Sequence, residues 1–315
     1  MRHLFIVNPT AGGRDCTEDV RKKILAAFAR RGGGSFEIYV TRAPMDAPEK
    51  IRAEAEKGGT LRVYACGGDG TFNECVNGAA LQPNVAVAPF PTGTGNDFCR
   101  MFGEEKEAYR DLDALLDGWE TPIDLIDCNG RFSANICSVG IDARIGADVH
   151  KYSKIPLIGG AGGYVVSLLV NVFRGINEPM RLRCGDFSAQ GKHALVCACN
   201  GRFYGGGFNP SPDARPDDGV LDVFAVRGLN LFQLAAKIGK YASGRSAEIP
   251  DCVTRLSGTE LEIALDRPGV VNVDGEVMVA QRLHWRLVPG AMKLIVPATL
   301  HFFDDRKTPD VGDAS

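Results

Sequence analysis

Short apolar runs alternate with amphipathic segments through residues 1–122, and strands dominate after that. Residues 4–7 form the first run and end in Asn8-Pro9-Thr10-Ala11-Gly12-Gly13. Asp15 and Glu18 have capping-box spacing, and Val20, Ile24, Leu25 and Phe28 recur on one helical face. Gly32, Gly33 and Gly34 stop that helix. Phe36, Ile38 and Val40 alternate as a strand ending at Thr41, and Pro48 sits where a helix would begin. Residues 61–66 read as a buried strand that breaks into Gly67-Gly68-Asp69-Gly70-Thr71, with a helix following. Residues 85–88 are the next strand and run into Pro91-Thr92-Gly93-Thr94-Gly95-Asn96-Asp97. Strands alternating with helices predict a parallel sheet covered by helices, an α/β domain. Its three glycine-bearing loops then belong on one edge, where the strands' carboxyl ends meet ligands.

The pattern changes near Pro122. Residues 123–127 and 132–137 flank Asn129-Gly130, a strong hairpin signal. Further strands are expected at 180–184, 194–199, 220–226, 260–265, 270–273, 283–288 and 292–296, with helical stretches near 163–173 and 231–241. Many short strands with turn signals predict a mostly antiparallel, β-rich second domain. The expected division is 1–122, 123–303 and a polar tail at 304–315.

The totals narrow the function. The chain has 315 residues, enough for two cores, with 44% hydrophobic and 24% charged residues, as in ordinary globular proteins. A net charge of −3 without a long basic run points away from nucleic acid. Ten cysteines without CxxC pairs suit small buried hydrophobes in a reducing, cytoplasmic compartment. The longest apolar stretch, 164–173, is too short to span a bilayer.

Candidate chemistry sits in the loops. Strand, glycine turn and helix together point backbone N–H groups and a helix N-terminus at a phosphate. Asp69 would repel that phosphate unless a cation lay between, which suggests Mg²⁺ or a water in its second shell; alone, the motif could also be a tight turn with a capping aspartate. Asp274-Gly275-Glu276 follows an apolar strand, so its two carboxylates can stand at a cleft as proton acceptors, or merely form a solvated turn. Asp217-Asp218-Gly219 reads either as an ordinary turn or as a shaped loop stiffened by Pro210 and Pro212. The signatures GxxxxGK[ST], and HRD with DFG, are absent. The five histidines have no metal spacing.

Taken together, Asn8-Pro9-x-Ala11-Gly12, residues 67–71 with Asn73-Glu74, Pro91-x-Gly93-Thr94-Gly95-Asn96-Asp97-Phe98 and Asn272-Val273-Asp274-Gly275-Glu276 give the resemblance. The chain resembles the diacylglycerol-kinase catalytic-domain family, in its bacterial soluble lipid-kinase branch, over nearly its whole length to about Phe303. Sphingosine and ceramide kinases are relatives of that branch. The resemblance implies an N-terminal nucleotide domain like those of NAD kinase and 6-phosphofructokinase, a β-rich C-terminal domain, and ATP between them. By position, Asn8, Thr10 and Gly12 would border the nucleotide, and Thr41 would contact it. Gly67, Gly68, Asp69, Gly70, Thr71, Phe72 and Asn73 would cradle its phosphates, with Thr94 adding a hydroxyl. Asp69 and Asp97 would hold the catalytic Mg²⁺. Glu276 or Asp274 would accept the proton of the lipid hydroxyl. A second, structural Mg²⁺ would rest on Arg215, Asp218 and Val220. Arg14 and Arg100 are candidates to offset phosphate charge.

The expected reaction is Mg²⁺-dependent transfer from ATP to diacylglycerol or a similar lipid, giving a product such as phosphatidic acid. Such an enzyme works peripherally at a membrane, and residues 152–158, with Lys151 and Lys154, could dip into headgroups or pack as core. The resemblance leaves homodimerisation open. NAD kinase shares GGDGT, but the 91–98 loop fits it less well and its downstream Gly-Ser-Thr-Ala-Tyr segment is missing. A non-catalytic nucleotide or lipid sensor is the rival from another class.

Overall fold

The computed structural model describes residues 1–13, 15–92, 96–152, 167 and 170–306. The first part runs β1 (Arg2–Val7), α1 (Thr17–Arg30), β2 (Phe36–Val40), α2 (Asp46–Ala55), β3 (Leu61–Gly67), α3 (Asp69–Ala79), β4 (Val85–Pro91), α4 (Asp97–Arg100) and α5 (Leu112–Leu116). Strand order β4-β3-β1-β2 is wholly parallel, with Val7 level with both Cys66 and Val40, and Gly67 level with Pro91. The loops after β1, β3 and β4 therefore share one edge, as the alternating pattern predicts. Every residue of β3 is buried, which explains its unbroken apolar run.

The second part contains β5 (Trp119–Cys128), β6 (Arg131–Ser133), β7 (Ile136–Gly140), α6 (Ile141–Tyr152), β8 (Glu178–Cys184), β9 (Phe187–Cys199), β10 (Leu221–Arg227), α7 (Leu231–Ala242), β11 (Val253–Gly258), β12 (Glu260–Val273) and β13 (Glu276–Val296). Its strand pairs are antiparallel, and Asn129 and Gly130 take the positive φ values (53° and 89°) of a tight hairpin turn between β5 and β6.

Several local expectations change. Asp15 and Glu18 form no capping box: α1 starts at Thr17, and Asp15 instead accepts from the Thr17 amide. Pro48 lies inside the first turn of α2 rather than opening it. The pairs 260–265 with 270–273, and 283–288 with 292–296, are two long strands, each carried through a register shift. That continuity also blurs the division at residue 122. The far end of β13 pairs in parallel with β4 and antiparallel with the start of β5. Met292, Leu294, Ile295, Val296, Leu300 and Phe303 are buried in the same core as β1, β3 and β4. A second core lies among β7, β12 and β13, and a third beneath α6 and α7. All ten cysteines are buried and unpaired.

Candidate active site

The glycine loop at residues 67–70 is shaped by close approach. A Cβ on Gly67 would lie 2.2 Å from Thr71 Oγ1. The Asn8 side-chain amide donates to that same oxygen at 3.1 Å, and Asn8 Oδ1 accepts from the amide and hydroxyl of Thr10. Gly12 takes φ 72°, a left-handed turn that suits glycine. Thr41 binds back to the Val7 carbonyl at the end of β2. Gly68 opens α3 without a side-chain cap, so the first-turn amides of this helix face the loop unsatisfied by any capping group. Two residues expected at the phosphates are turned elsewhere. Phe72 packs its ring on Phe98 at 4.7 Å, and wholly buried Asn73 donates to the Phe132 carbonyl and to Asp274. Arg14 and Thr94 lie outside the described residues.

Asp69 and Asp97 meet at the mouth of a cavity. Asp69 Oδ1 accepts the Asp97 amide at 2.7 Å. Burial first, and then the neighbouring Asp97 charge, push the Asp69 carboxyl up to about 6, against the pull of the Asp97 and Asn96 amides. Asp97 is also raised by burial, while the Gly206 amide at 2.8 Å and Arg100 at 3.0 Å draw it back. A buried acid, Asp97, beside a half-buried one, Asp69, both held above their ordinary range by desolvation, are a fit for a divalent cation.

The pair Asp274 and Glu276 divides into two environments. Asp274 (φ 53°) is half-buried and accepts five hydrogen bonds, from the Ser133 hydroxyl, the Ala134, Asn135 and Ile136 amides, and the Asn73 side-chain amide. Burial raises its carboxyl, and these donors oppose the rise. It clamps the β12–β13 turn to the loop between β6 and β7. The Glu276 side chain is 46% exposed and lies 3.8 Å from Arg131. A methyl on Gly70 would sit 2.8 Å from its Oε1, so this carboxylate lies directly over the glycine loop.

Behind these acids a cavity of about 540 Å³ runs into the second part of the chain. Its polar end carries Asp69, Asp97, Asp274 and Glu276, and its body is apolar, with Ile145, Leu195, Val226, Leu234, Ile238 and Tyr241. Asp142, which sequence reasoning missed, also lines it. Burial pushes that carboxyl up to about 6, against the Ser138 and Tyr204 hydroxyls and the Ala143 amide. A signal existed: strand β7, Gly140, Asp142 and helix α6 repeat the strand–glycine–acid–helix order seen at Asp69.

The Arg215, Asp218 and Val220 loop lies away from this cavity. Arg215 pairs with Asp217 at 3.0 Å and with Asp305, and Asp218 accepts the Val220 amide. Asp218 is raised by burial and by Asp222, Asp124 and Asp217. Among the described residues, no three His, Cys, Asp or Glu side chains converge as metal ligands. A cation here would need the main-chain oxygens of Arg215 and Val220.

Residues 2–128 match the family model of the diacylglycerol kinase catalytic domain. Residues 135–296 match that of the YegS C-terminal NAD kinase beta sandwich-like domain. A Stenotrophomonas maltophilia (strain K279a) protein named "Probable lipid kinase YegS-like" is 32% identical over 312 residues, covering 94% of this chain and 96% of its own. A Pseudomonas aeruginosa (strain PAO1) protein of the same name is 31% identical over 282 residues, covering 89% and 90%. The solved structure of a "putative diacylglycerol kinase" from Bacillus anthracis str. Sterne aligns with a TM-score of 0.73 at 25% identity, covering 95% of this chain and 96% of that one.

Proposed function

We propose, from the premise that this chain belongs to the diacylglycerol kinase catalytic-domain family and is one of its YegS-like lipid kinases, that it phosphorylates a hydroxyl of diacylglycerol or a closely related lipid at the expense of ATP. One observation carries the acceptor class: the apolar cavity whose polar end is lined by Asp69, Asp97, Asp274 and Glu276. The lipid's chain occupies the apolar body and its hydroxyl meets the acids. NAD, with a charged pyrophosphate between two riboses, does not match that apolar lining.

The chain's own residues then divide the work. The glycine loop and the first turn of α3 bind the phosphates. Asn8 holds Thr71, and so the loop, in shape. Glu276, the half-exposed acid above Gly70, takes the proton from the attacking hydroxyl. Asp274, with its lone pairs engaged by five donors, positions that turn. Asp69 and Asp97 would hold Mg²⁺, which when bound supplies charge neutralisation to the transferring phosphoryl group. The Asp218 loop would hold a second, structural ion.

The test is transfer from labelled ATP with Mg²⁺ to mixed micelles of diacylglycerol, monoacylglycerol, phosphatidylglycerol or ceramide, with NAD in parallel. Label in a chloroform-soluble product from diacylglycerol, that is phosphatidic acid, is the expected result. Label in NADP alone overturns the acceptor assignment.

A further inference from the structure

Helix α7 is apolar on two sides, and only one of them faces the cavity. Its inner side, Leu234, Ile238 and Tyr241, lines the cavity. The other side presents Leu231, Phe232, Ala235, Ala236 and Gly239, all exposed, at the spacing of a helical stripe. Leu231 is 52% exposed and Phe232 86%. An aromatic ring so exposed on an ordered helix has a cost in water that a folded chain normally avoids. The helix does not depend on that outer face for its shape, because Asn230 and Gln233 close a full capping box at its start. A second exposed ring lies on a segment joined to the start of this helix. Phe173 is 89% exposed, and its segment is tied to the start of α7 by paired hydrogen bonds between Asn177 and Leu229. Val172 joins the same core cluster as Leu229 and Leu234.

What covers this face follows from its continuity with the cavity. We infer that the outer stripe of α7, led by Phe232 and Leu231, inserts into the lipid surface that carries the acceptor, so that one helix is both the wall of the acceptor cavity and the membrane contact. The inference rests on the lipid-acceptor reading above. The lysines of the helix are already engaged, Lys237 with Asp251 and Lys240 with Glu248, so the stripe itself carries no free charge. Docking is therefore by insertion of apolar side chains rather than by attraction to anionic headgroups, and neutral bilayers suffice.

The experiment uses the full chain and three probes. Phe232→Glu should weaken flotation with phosphatidylcholine vesicles by about tenfold or more. It should cut phosphorylation of long-chain diacylglycerol in those vesicles to a similar degree. Turnover of a short-chain diacylglycerol kept below its micellar concentration should stay at the wild-type rate, as should the melting temperature. Phe232→Trp should keep vesicle activity, and its emission should shift to the blue when vesicles are added, in high salt as well as low. Equal losses on vesicle and monomeric acceptors, or vesicle binding abolished by salt, overturn the inference. A wild-type dimer that Phe232→Glu converts to monomer assigns the face to a second copy instead. Wild-type protein that phosphorylates neither acceptor removes the lipid-acceptor reading itself, an outcome distinct from a defect confined to vesicles.

Discussion

Asp69 should make the protein less stable so that it can work. Its carboxyl sits at about 6 rather than at its ordinary 3.8, chiefly through burial and then through Asp97. A folded state that binds this proton more tightly than the unfolded one loses stability as pH rises from about 4 to about 6, and carries the full cost above that window. A difference of that size corresponds to roughly 3 kcal/mol at pH 7.5. Asp69→Asn removes the charge and keeps an oxygen for the Asp97 and Asn96 amides. In EDTA at pH 7.5 the variant should melt higher, by about 4–5 °C if unfolding entropy is about 2 cal/mol/K per residue. Near pH 4 the two proteins should melt together. With Mg²⁺ and ATP the order should close or reverse, because only the wild type gains binding energy from the metal, and turnover by the variant should be lost. Scanning calorimetry across this pH range reads the effect directly. A variant that melts lower than wild type in EDTA at pH 7.5, or a gap that does not change with pH, would refute the reasoning.

The turn at Asp274 and Glu276 gives two opposite outcomes. Glu276→Gln should lower kcat by about 10²–10⁴-fold with little change in the KM for ATP or in melting. Asp274→Asn leaves some of five donors without an acceptor; that loss should outweigh the relief of a carboxyl raised by burial and destabilise by about 1–2 kcal/mol, seen as a lower denaturant midpoint. Gly70→Ala places a methyl 2.8 Å from Glu276 Oε1 on a helical backbone that accepts alanine, so kcat should fall while melting holds. Gly146 lines the cavity, and a Cβ there meets nothing within 4 Å. Gly146→Phe should therefore narrow the cavity without strain and shift preference toward shorter acyl chains in a chain-length series.

The parts of the site that were legible in the sequence are those made by neighbours along the chain. Gly67, Gly68 and Asp69 announce a strand ending against a helix N-terminus, and the sheet order puts that loop beside Asn8 and Asp97 as the alternation of elements requires. The division of labour between Asp274 and Glu276 was not legible, because it depends on donors at Ser133, Ala134, Asn135 and Ile136, brought in from the distant β6–β7 loop. The cavity was hidden for a different reason. Leu195, Val226 and Ile238 are the same residue types whether they face packed neighbours or space, so an apolar pocket reads as core. The sequence predicts separate strands at 283–288 and 292–296, with Pro289-Gly290 between them. The ladder instead shifts register there, and Asp124 takes up the Gly290 amide at 2.8 Å.

That mistaken break concealed how the site is held together. Strand β13 begins at Glu276, in the cleft, and ends alongside β4, whose loop leads to Asp97. Glu276 and the sheet edge that carries the glycine loops are thus joined by one strand rather than set on two bodies linked by a tether. Asp274 adds a second tie through Asn73 on α3, the helix that starts at the glycine loop. With these two connections between the halves, the placement of Glu276 over the glycine loop is built into the ladder. Helices α6 and α7, which contribute the far wall of the cavity, stand outside that ladder.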